Sequence, residues 1–315
     1  MKSLDLTVVV CTYNRSNALQ ILLDGFNNCD KPTLLTWELL IIDNNSPDNT
    51  QDLLNISLLK YPYLRFEKEI NQGISYARNR GISEAKGEYL FFMDDDASPS
   101  SWFLTSIEAA LKKYPDILCF GVKVLSHFPN KPDWFAIEGP YALKGILGIF
   151  DLGESERLLN SADPSPLGSG LLIEKELIST FGGFNVKLGV SGGTKYPGRS
   201  EDTDLVERLR ASGISVYYLP HPLVNHYPDL RRYDLNKLKI MFIGSGLALA
   251  RLPVNNCKVL FGAPRHLFRS LMEHLFLVCL HSARGNKSAS VYHKTRYWLT
   301  LGTLIRYMGL DRWLD

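Results

Sequence analysis

The chain has 315 residues, enough to bury a sizeable core in one large α/β domain with an appendage or in two small domains. With 45% apolar and 22% charged residues it is composed like a globular protein rather than a disordered one. The net charge of +2 hides an asymmetry: Arg231 to Asp315 holds fourteen Lys/Arg against four Asp/Glu, a local charge of +10 that leaves −8 on the first 230 residues and suits the C-terminal part to something anionic.

The five cysteines, Cys11, Cys29, Cys119, Cys257 and Cys279, are odd in number and nowhere spaced Cys-x-x-Cys, as expected of free thiols in a reducing compartment. The first apolar run, Leu6 to Cys11, is too short for a secretory leader and lacks a small-residue cleavage signal. No stretch reaches the roughly 18 uncharged apolar residues of a membrane span. The expected location is cytoplasmic, with peripheral attachment to the cytoplasmic face of a membrane as the variant of that reading.

In chain order, Leu6–Cys11 reads as a central parallel strand and Asn17–Asn28 as a helix carrying Leu19, Leu22, Leu23 and Phe26 on one face. Trp37–Ile42 is a second strand, closed by the turn cluster Asp43-Asn44-Asn45-Ser46-Pro47-Asp48 that feeds a helix over Asn49–Leu59. Leu64–Glu67 is a third strand, Ile74–Ala85 a third helix and Tyr89–Met93 a fourth strand. A helix over Trp102–Tyr114 and a strand over Ile117–Val124 follow; from Ser126 to Pro166 the pattern dissolves into Pro, Gly and aromatic residues. Order returns with a strand over Gly168–Ile173, a helix over Glu174–Thr180, a Gly-rich loop over Gly189–Gly198, a helix over Glu201–Ala211 and two short strands, Val216–Leu219 and Leu223–Val224, near His226. Three basic helices close the chain, over Leu235–Leu252, Pro264–Ser282 and Tyr292–Met308. Alternating strands and helices predict a mostly parallel, Rossmann-like sheet flanked by helices, with ligands bound outside the carboxyl ends of the strands. Residues 1–230 would form that domain and 231–315 a helical basic extension.

Chemistry concentrates at those strand ends. The fourth strand delivers Asp94, Asp95 and Asp96, three adjacent like charges that raise one another's pKa unless they share a cation, and a hard divalent metal is the simplest partner. A solvated acidic turn is the alternative, since Ala97-Ser98-Pro99-Ser100 follows. No Gly-x-Gly-x-x-Gly follows the first strand, and neither a Gly-x-x-x-x-Gly-Lys-Ser/Thr loop nor a Gly-x-Ser-x-Gly elbow occurs. Gly244-Ser245-Gly246 lies in a helical segment and reads as close helix packing. A nucleotide site without a Gly-rich loop remains open: Asp43 could accept the N3 proton of a uracil ring with Thr12 beside it, or merely cap a turn. In Asn71-Gln72-Gly73-Ile74-Ser75-Tyr76-Ala77-Arg78 a Gly opens a helix that carries Arg78 one turn in, an arrangement that favours a diphosphate.

VVVCTYNR, IIDNNSPD, NQGISYARNRG, FFMDDDA, GGFN and SEDTDL, in this order, resemble the family 2 inverting glycosyltransferases of the GT-A nucleotide-diphospho-sugar fold, over about residues 5 to 230. The resemblance implies that Asp43 and Thr12 hold the base, usually uracil, and that Arg78 contacts base or phosphate. It assigns Asp94 and Asp96 to the Asp-x-Asp pair, Asp94 towards the ribose and Asp96 on Mn²⁺ or Mg²⁺, with Asp95 assisting. His226 would complete the metal or diphosphate site, or be a surface histidine. Inverting transfer needs a base for the acceptor hydroxyl, and Asp202, with Glu201 beside it, matches the family's acidic pair; helix-capping acids are the bland reading. The sequence departs from the family where Gly170 stands for a frequent Asn, so sugar preference does not carry over.

The implied function is metal-dependent transfer of a sugar from a nucleotide sugar, UDP-linked, to a saccharide or lipid-linked acceptor in polysaccharide or glycan biosynthesis. A non-catalytic carbohydrate-binding scaffold of the same fold and a sugar nucleotidyltransferase are the alternatives; the latter would want a Gly-rich basic first loop that Thr12-Tyr13-Asn14-Arg15 does not supply. The basic tail alternates Arg265, Arg269, Arg284, Lys287, Lys294, Arg296, Arg306 and Arg312 with Leu267, Phe268, Leu271, Leu275, Trp298, Leu301 and Trp313. It fits either an anionic membrane surface or a cap with a solvated basic face. No nucleic-acid reader motif accompanies the charge.

Overall fold

Short β-branched and aromatic runs between amphipathic helices fold as such runs must when both faces of a sheet are covered. The computed structural model describes residues 4–128, 131–189, 196, 200–250 and 258–313; Cys257 and, apart from Gly189 and Tyr196, the Gly189–Gly198 loop lie outside the described residues. Two compact units form. The first comprises Met1–His127, Gly148–Val186 and Glu201–Pro228; the second comprises Phe128–Leu147, Lys187–Ser200 and Asp229–Asp315, and so draws two segments from within the first 230 residues as well as the tail.

In the first unit the order is β1 (Leu4–Thr12), α1 (Ser16–Asn27), β2 (Trp37–Asp43), α2 (Thr50–Lys60), β3 (Leu64–Lys68), α3 (Ile74–Glu84), β4 (Gly87–Asp94), β5 (Ala97–Pro99), α4 (Phe103–Lys113), β6 (Cys119–Ser126), β7 (Arg157–Leu158), β8 (Leu171–Glu174), α5 (Lys175–Thr180), α6 (Glu201–Ala211) and β9 (Tyr217–His226). The nine strands make one sheet in the order β3-β2-β1-β4-β8-β6-β9-β5, with β7 on β9. β1, β2, β3 and β4 are mutually parallel, whereas β8 runs antiparallel between β4 and β6. Val8, Val9 and Val10 of β1, Leu39 to Ile42 of β2 and Leu90 to Phe92 of β4 are buried on both faces and share one core with Leu19, Leu22, Leu23 and Phe26 of α1. Burial pushes the Cys29 and Cys119 thiols up to about 12, which makes them packing groups rather than nucleophiles.

Three local expectations are corrected. Ala97–Pro99 is a strand, paired antiparallel with Val224–His226, not the start of a turn. Gly168–Gly170 is a 3-10 turn and only Leu171–Glu174 is extended. The two short strands before His226 are one strand, from which Pro220, His221 and Pro222 bulge between the pairs Val122–Leu219 and Lys123–Leu223; proline without an N–H cannot keep the ladder.

The second unit holds α7 (Leu235–Leu249), the hairpin β10 (Val259–Leu260) and β11 (Ala263–Pro264), α8 (Arg265–Ala283) and α9 (Lys287–Tyr307). Asp234 caps α7 by accepting from the backbone of Asn236 and Lys237, and Asn286 caps α9 by accepting from Ala289 N. That cap starts α9 five residues before the expected Tyr292. α8 meets α9 through Ser282–Ser290 (2.8 Å) and through His274 and His281 on His293, the first at 3.2 Å between Nδ1 atoms and the second stacked at 5.4 Å. Among the described residues no helix is long and apolar enough to cross a membrane. α7 crosses α9 at two glycines: a Cβ on Gly246 would run into the backbone of Leu299 and Thr303, and one on Gly302 into the backbone of Ile243. Gly244-Ser245-Gly246 is therefore helix packing, as its sequence implies. In an open helix Gly302→Ala would stabilise by about 1 kcal/mol. Here it is expected to destabilise by about 1–3 kcal/mol through overpacking, and unchanged or raised stability in urea unfolding would refute the crossing.

Candidate active site

The register of three parallel strands lines up their carboxyl ends. Thr12 of β1 pairs with Asp43 of β2, and Cys11 pairs with Asp94 of β4, so base-site and acidic candidates share one sheet edge. His226 arrives from the far end of the chain: β9 places it opposite Ala97 of β5 on one side and opposite Ser126 of β6 on the other.

Around the acids the charges are arranged by two arginines. Arg15, in the turn after β1, reaches Asp95 Oδ1 at 2.9 Å and Asp96 Oδ2 at 2.8 Å. Thr12 Oγ1 donates to the other Asp95 oxygen at 2.8 Å. The Thr12 hydroxyl, expected at a base pocket, is thus committed to Asp95. Burial pushes Asp95 up to about 6 against the pull of Arg15, and Asp96 adds to the rise. Burial works against the charge on Arg15 too, but Asp95 and then Asp96 outweigh it and hold its pKa above the ordinary arginine value.

Arg78 of α3 is buried and bridges two carboxylates: Nη1 donates to Glu201 Oε1 at 2.6 Å, Nη2 lies 3.5 Å from Asp94 Oδ1, and the guanidinium stands 5.2 Å from the Phe184 ring centroid. Gly168 lies against this guanidinium so closely that a Cβ there would collide with it. Glu201 is buried, and burial followed by the charge of Asp202 raises its pKa while Arg78 opposes the rise. Glu201 is therefore the anchor of Arg78. Its neighbour Asp202, half-buried at the start of α6, accepts from Gly168 N and from Thr203 N at 2.8 Å each. This ties the candidate base to the turn before β8.

Asp94, Asp96 and His226 each bring one ligand atom into a group lying within 4.8 Å of one another. His226 Nε2 is 3.1 Å from Asp96 Oδ1, and its Nδ1 contacts Ser126 Oγ at 3.1 Å, the outer contact that fixes ring orientation in metal-ligating histidines. Gly148, at φ +68°, lies 3.2 Å by its would-be Cβ from the same ring, a position that only glycine takes without strain. Two carboxylates and one imidazole form a donor set that fits a divalent cation such as Mn²⁺.

Asp43, expected to hold the base, is buried, and one carboxylate oxygen accepts from Ser46 N at 3.0 Å. The turn-capping role and the strand-end position coexist in it. Asn44 holds the neighbouring loop, donating to Glu69 O and Asn71 O and accepting from Gly73 N at 2.8 Å, which aims the start of α3 and hence Arg78.

The sequence reading passed over Arg15 and Ser126. A lone cation one turn beyond the first strand, in a chain whose fourth strand ends in three acids, is a signal for Arg15. Nothing in the sequence marks Ser126, because its neighbour His226 is 100 residues away.

Residues 7–147 match the profile described as Glycosyl transferase family 2. Residues 7–147, a little under half of the chain, are thereby identified as a family 2 glycosyltransferase domain. Similar proteins include the cholesterol galactosyltransferase of Borreliella burgdorferi, 30% identical over 154 residues that make up 45% of this chain and 41% of that one. The glucosyl-dolichyl phosphate glucuronosyltransferase of Haloferax volcanii is 24% identical over 228 residues, 70% of this chain and 68% of that one. The matched stretch thus spans less than half of the first of these relatives. Among solved structures, the mannosyltransferase PcManGT from Pyrobaculum calidifontis in complex with GDP-Man and Mn²⁺ superposes with TM-score 0.62 at 15% identity, covering 97% of this chain and 88% of that one. S. aureus TarS 1-349 in complex with UDP gives 0.54 at 14% identity, covering 99% and 92%. The family 2 domain has the GT-A fold that its motif order implied.

The buried Arg78–Glu201 pair yields a test of how the candidate site is built. Glu201→Ala leaves a buried guanidinium without its closest partner and is expected to cost about 3–5 kcal/mol in urea unfolding. A loss below about 1 kcal/mol, the level of an exposed pair, would show that the pair is not a buried anchor.

Proposed function

We propose that this chain transfers a sugar, with inversion, from a nucleoside diphosphate sugar, UDP-linked, to a hydroxyl of a saccharide or lipid-linked acceptor in glycan biosynthesis. The observation that carries the reading is the meeting, at one sheet edge, of a base-side carboxylate (Asp43), an anion-binding arginine (Arg78), a two-carboxylate and imidazole cluster (Asp94, Asp96, His226) and a separate carboxylate (Asp202) tied to the Gly168 turn. The bound UDP of one structural neighbour and the GDP-Man and Mn²⁺ of another support it by analogy of fold.

In this reading Asp43 accepts the N3 proton of uracil with its remaining lone pairs, and the start of α3 with Arg78 faces the diphosphate. Asp94, Asp96 and His226 would hold Mn²⁺ or Mg²⁺, which when bound neutralises charge on the diphosphate. Asp202 takes the proton of the acceptor hydroxyl as its oxygen bonds to the anomeric carbon. The bond from that carbon to the diphosphate oxygen breaks in the same step, and its electron pair leaves with the nucleoside diphosphate. Glu201 and Gly168 hold Asp202 and Arg78 in place. Arg15 holds Asp95 and Asp96 together, so two adjacent acids fold side by side.

Base and cation site separate experimentally. Asp202→Asn is expected to keep UDP binding within about twofold and to lower transfer about 10²–10⁴-fold, the usual yield of general base catalysis. Asp96→Ala and His226→Ala are expected to weaken Mn²⁺-dependent UDP binding in calorimetry. Equal loss of binding in Asp202→Asn and Asp96→Ala would sink the division of roles, and no turnover with any nucleotide sugar and Mn²⁺, with or without acceptor, would favour a scaffold. A second measurement reads the cation site alone: Ser126→Ala is expected to raise the Kd for Mn²⁺ about tenfold, followed by the free-ion resonance signal. An unchanged Kd would show that Ser126 does not support the site, and an unchanged Kd in His226→Ala would remove His226 from the ligand set.

A further inference from the structure

The second unit presents an apolar surface that no described residue covers. α8 has no buried residue along its 19 positions. Phe268, Met272, Leu275, Phe276 and Cys279 recur at helical spacing and form one stripe, in which Met272 is 63% exposed and Phe276 66%. His274 and His281 lie on the opposite face, against α9. The hairpin β10–β11 lengthens the stripe, because its tip residue Phe261 meets Phe268 edge-to-face at 6.4 Å. Val259 and Leu260 beside it are exposed as well.

Phe261 is the informative residue. It occupies a left-handed position, φ +49°, followed by Gly262 at φ +81°, in a two-residue turn where Asn or Gly would sit without strain. It is also 76% exposed, so burial within this chain does not repay that strain. A large aromatic ring held out on a strained tip is accounted for by an apolar medium outside the chain.

Charge identifies the medium. Between Lys258 and Lys287 the chain has five Lys/Arg and one acid, Glu273. Lys258, Arg265 and Arg269 are exposed, and the two arginines continue the apolar stripe towards the N-terminal end of α8. A two-fold contact between copies through this stripe would bring two copies of the same basic set together, with Glu273 the only acid between Lys258 and Lys287 to offset it. An anionic lipid surface meets both features at once, with headgroups for Lys258, Arg265 and Arg269 and acyl chains for the rings.

We propose that the stripe on α8 together with the 259–261 hairpin tip is an interfacial membrane-binding surface for anionic lipid. It does not depend on the donor or on the acceptor chemistry assigned above. The surface is narrower than the basic tail as a whole: α9 is partly withdrawn from it, with Ala289, Val291, His293 and Leu304 buried.

Flotation of the full chain with phosphatidylglycerol–phosphatidylcholine vesicles and with phosphatidylcholine alone tests it. The chain is expected to float with the anionic vesicles and, more weakly, with the neutral ones, and added salt should release it. Phe261→Asp with Phe276→Asp, both at exposed positions, should raise the lipid concentration for half-binding at least about tenfold with an unchanged circular dichroism spectrum. Arg265→Glu with Arg269→Glu, a second route that leaves the aromatic residues in place, should do so for anionic vesicles only. No flotation, or equal flotation of the native chain and both variants, overturns the proposal. So does a dimer in sedimentation velocity that Phe276→Asp dissociates while vesicles go unbound, since the stripe would then belong to a second copy. Loss of sugar transfer without loss of flotation would bear on the active-site reading alone.

Discussion

Acids crowded at one sheet edge fold together only if cations hold them there, and two arginines do this. Arg15 bridges Asp95 and Asp96, and Arg78 joins Asp94 to Glu201. Without them, burial and mutual repulsion would push the carboxylates towards their protonated forms. With them, Asp95 is still raised to about 6. The site therefore has a fixed positive frame, and the geometry of every other group follows from how the backbone supports that frame. Asn44 aims the start of α3 and with it Arg78; Gly168 leaves room for the guanidinium and binds Asp202 through its N–H.

The sheet supplies the second half of the arrangement. Parallel pairing of β1 with β2 and β4 puts Thr12, Asp43 and Asp94 within one residue of the same level, at the carboxyl ends of their strands. The reversal at β8 and the return through β6 and β9 then bring the last residue of β9 beside Asp96. A histidine 130 residues beyond the acids thereby becomes their third partner. Its ring is oriented from behind by Ser126 and faced by Gly148.

Much of the fold was legible because its signals are local. The apolar runs of β1, β2 and β4 and the Leu19, Leu22, Leu23, Phe26 face of α1 follow directly from side-chain period, and all are buried as that period requires. The elements misjudged are those decided by pairing. Ala97–Pro99 has no strand period of its own and is extended because Val224–His226 lies beside it; Gly168, in the 3-10 turn before β8, lacks a side chain where Arg78 fills the space one would need.

At the site the division is the same. The residue types and their order, from Thr12 and Asp43 through Arg78 and the three acids to Asp202, belong to the sequence by itself, since each sits where a local element ends or begins and the ordered set marks the glycosyltransferase family. Which acid meets which cation is a matter of tertiary structure: Thr12 turns to Asp95, Glu201 takes Arg78, and Arg15 spans Asp95 and Asp96. These contacts join residues 80 to 123 positions apart, and burial and charge at such distances depend on how the sheet is threaded, which no local period encodes.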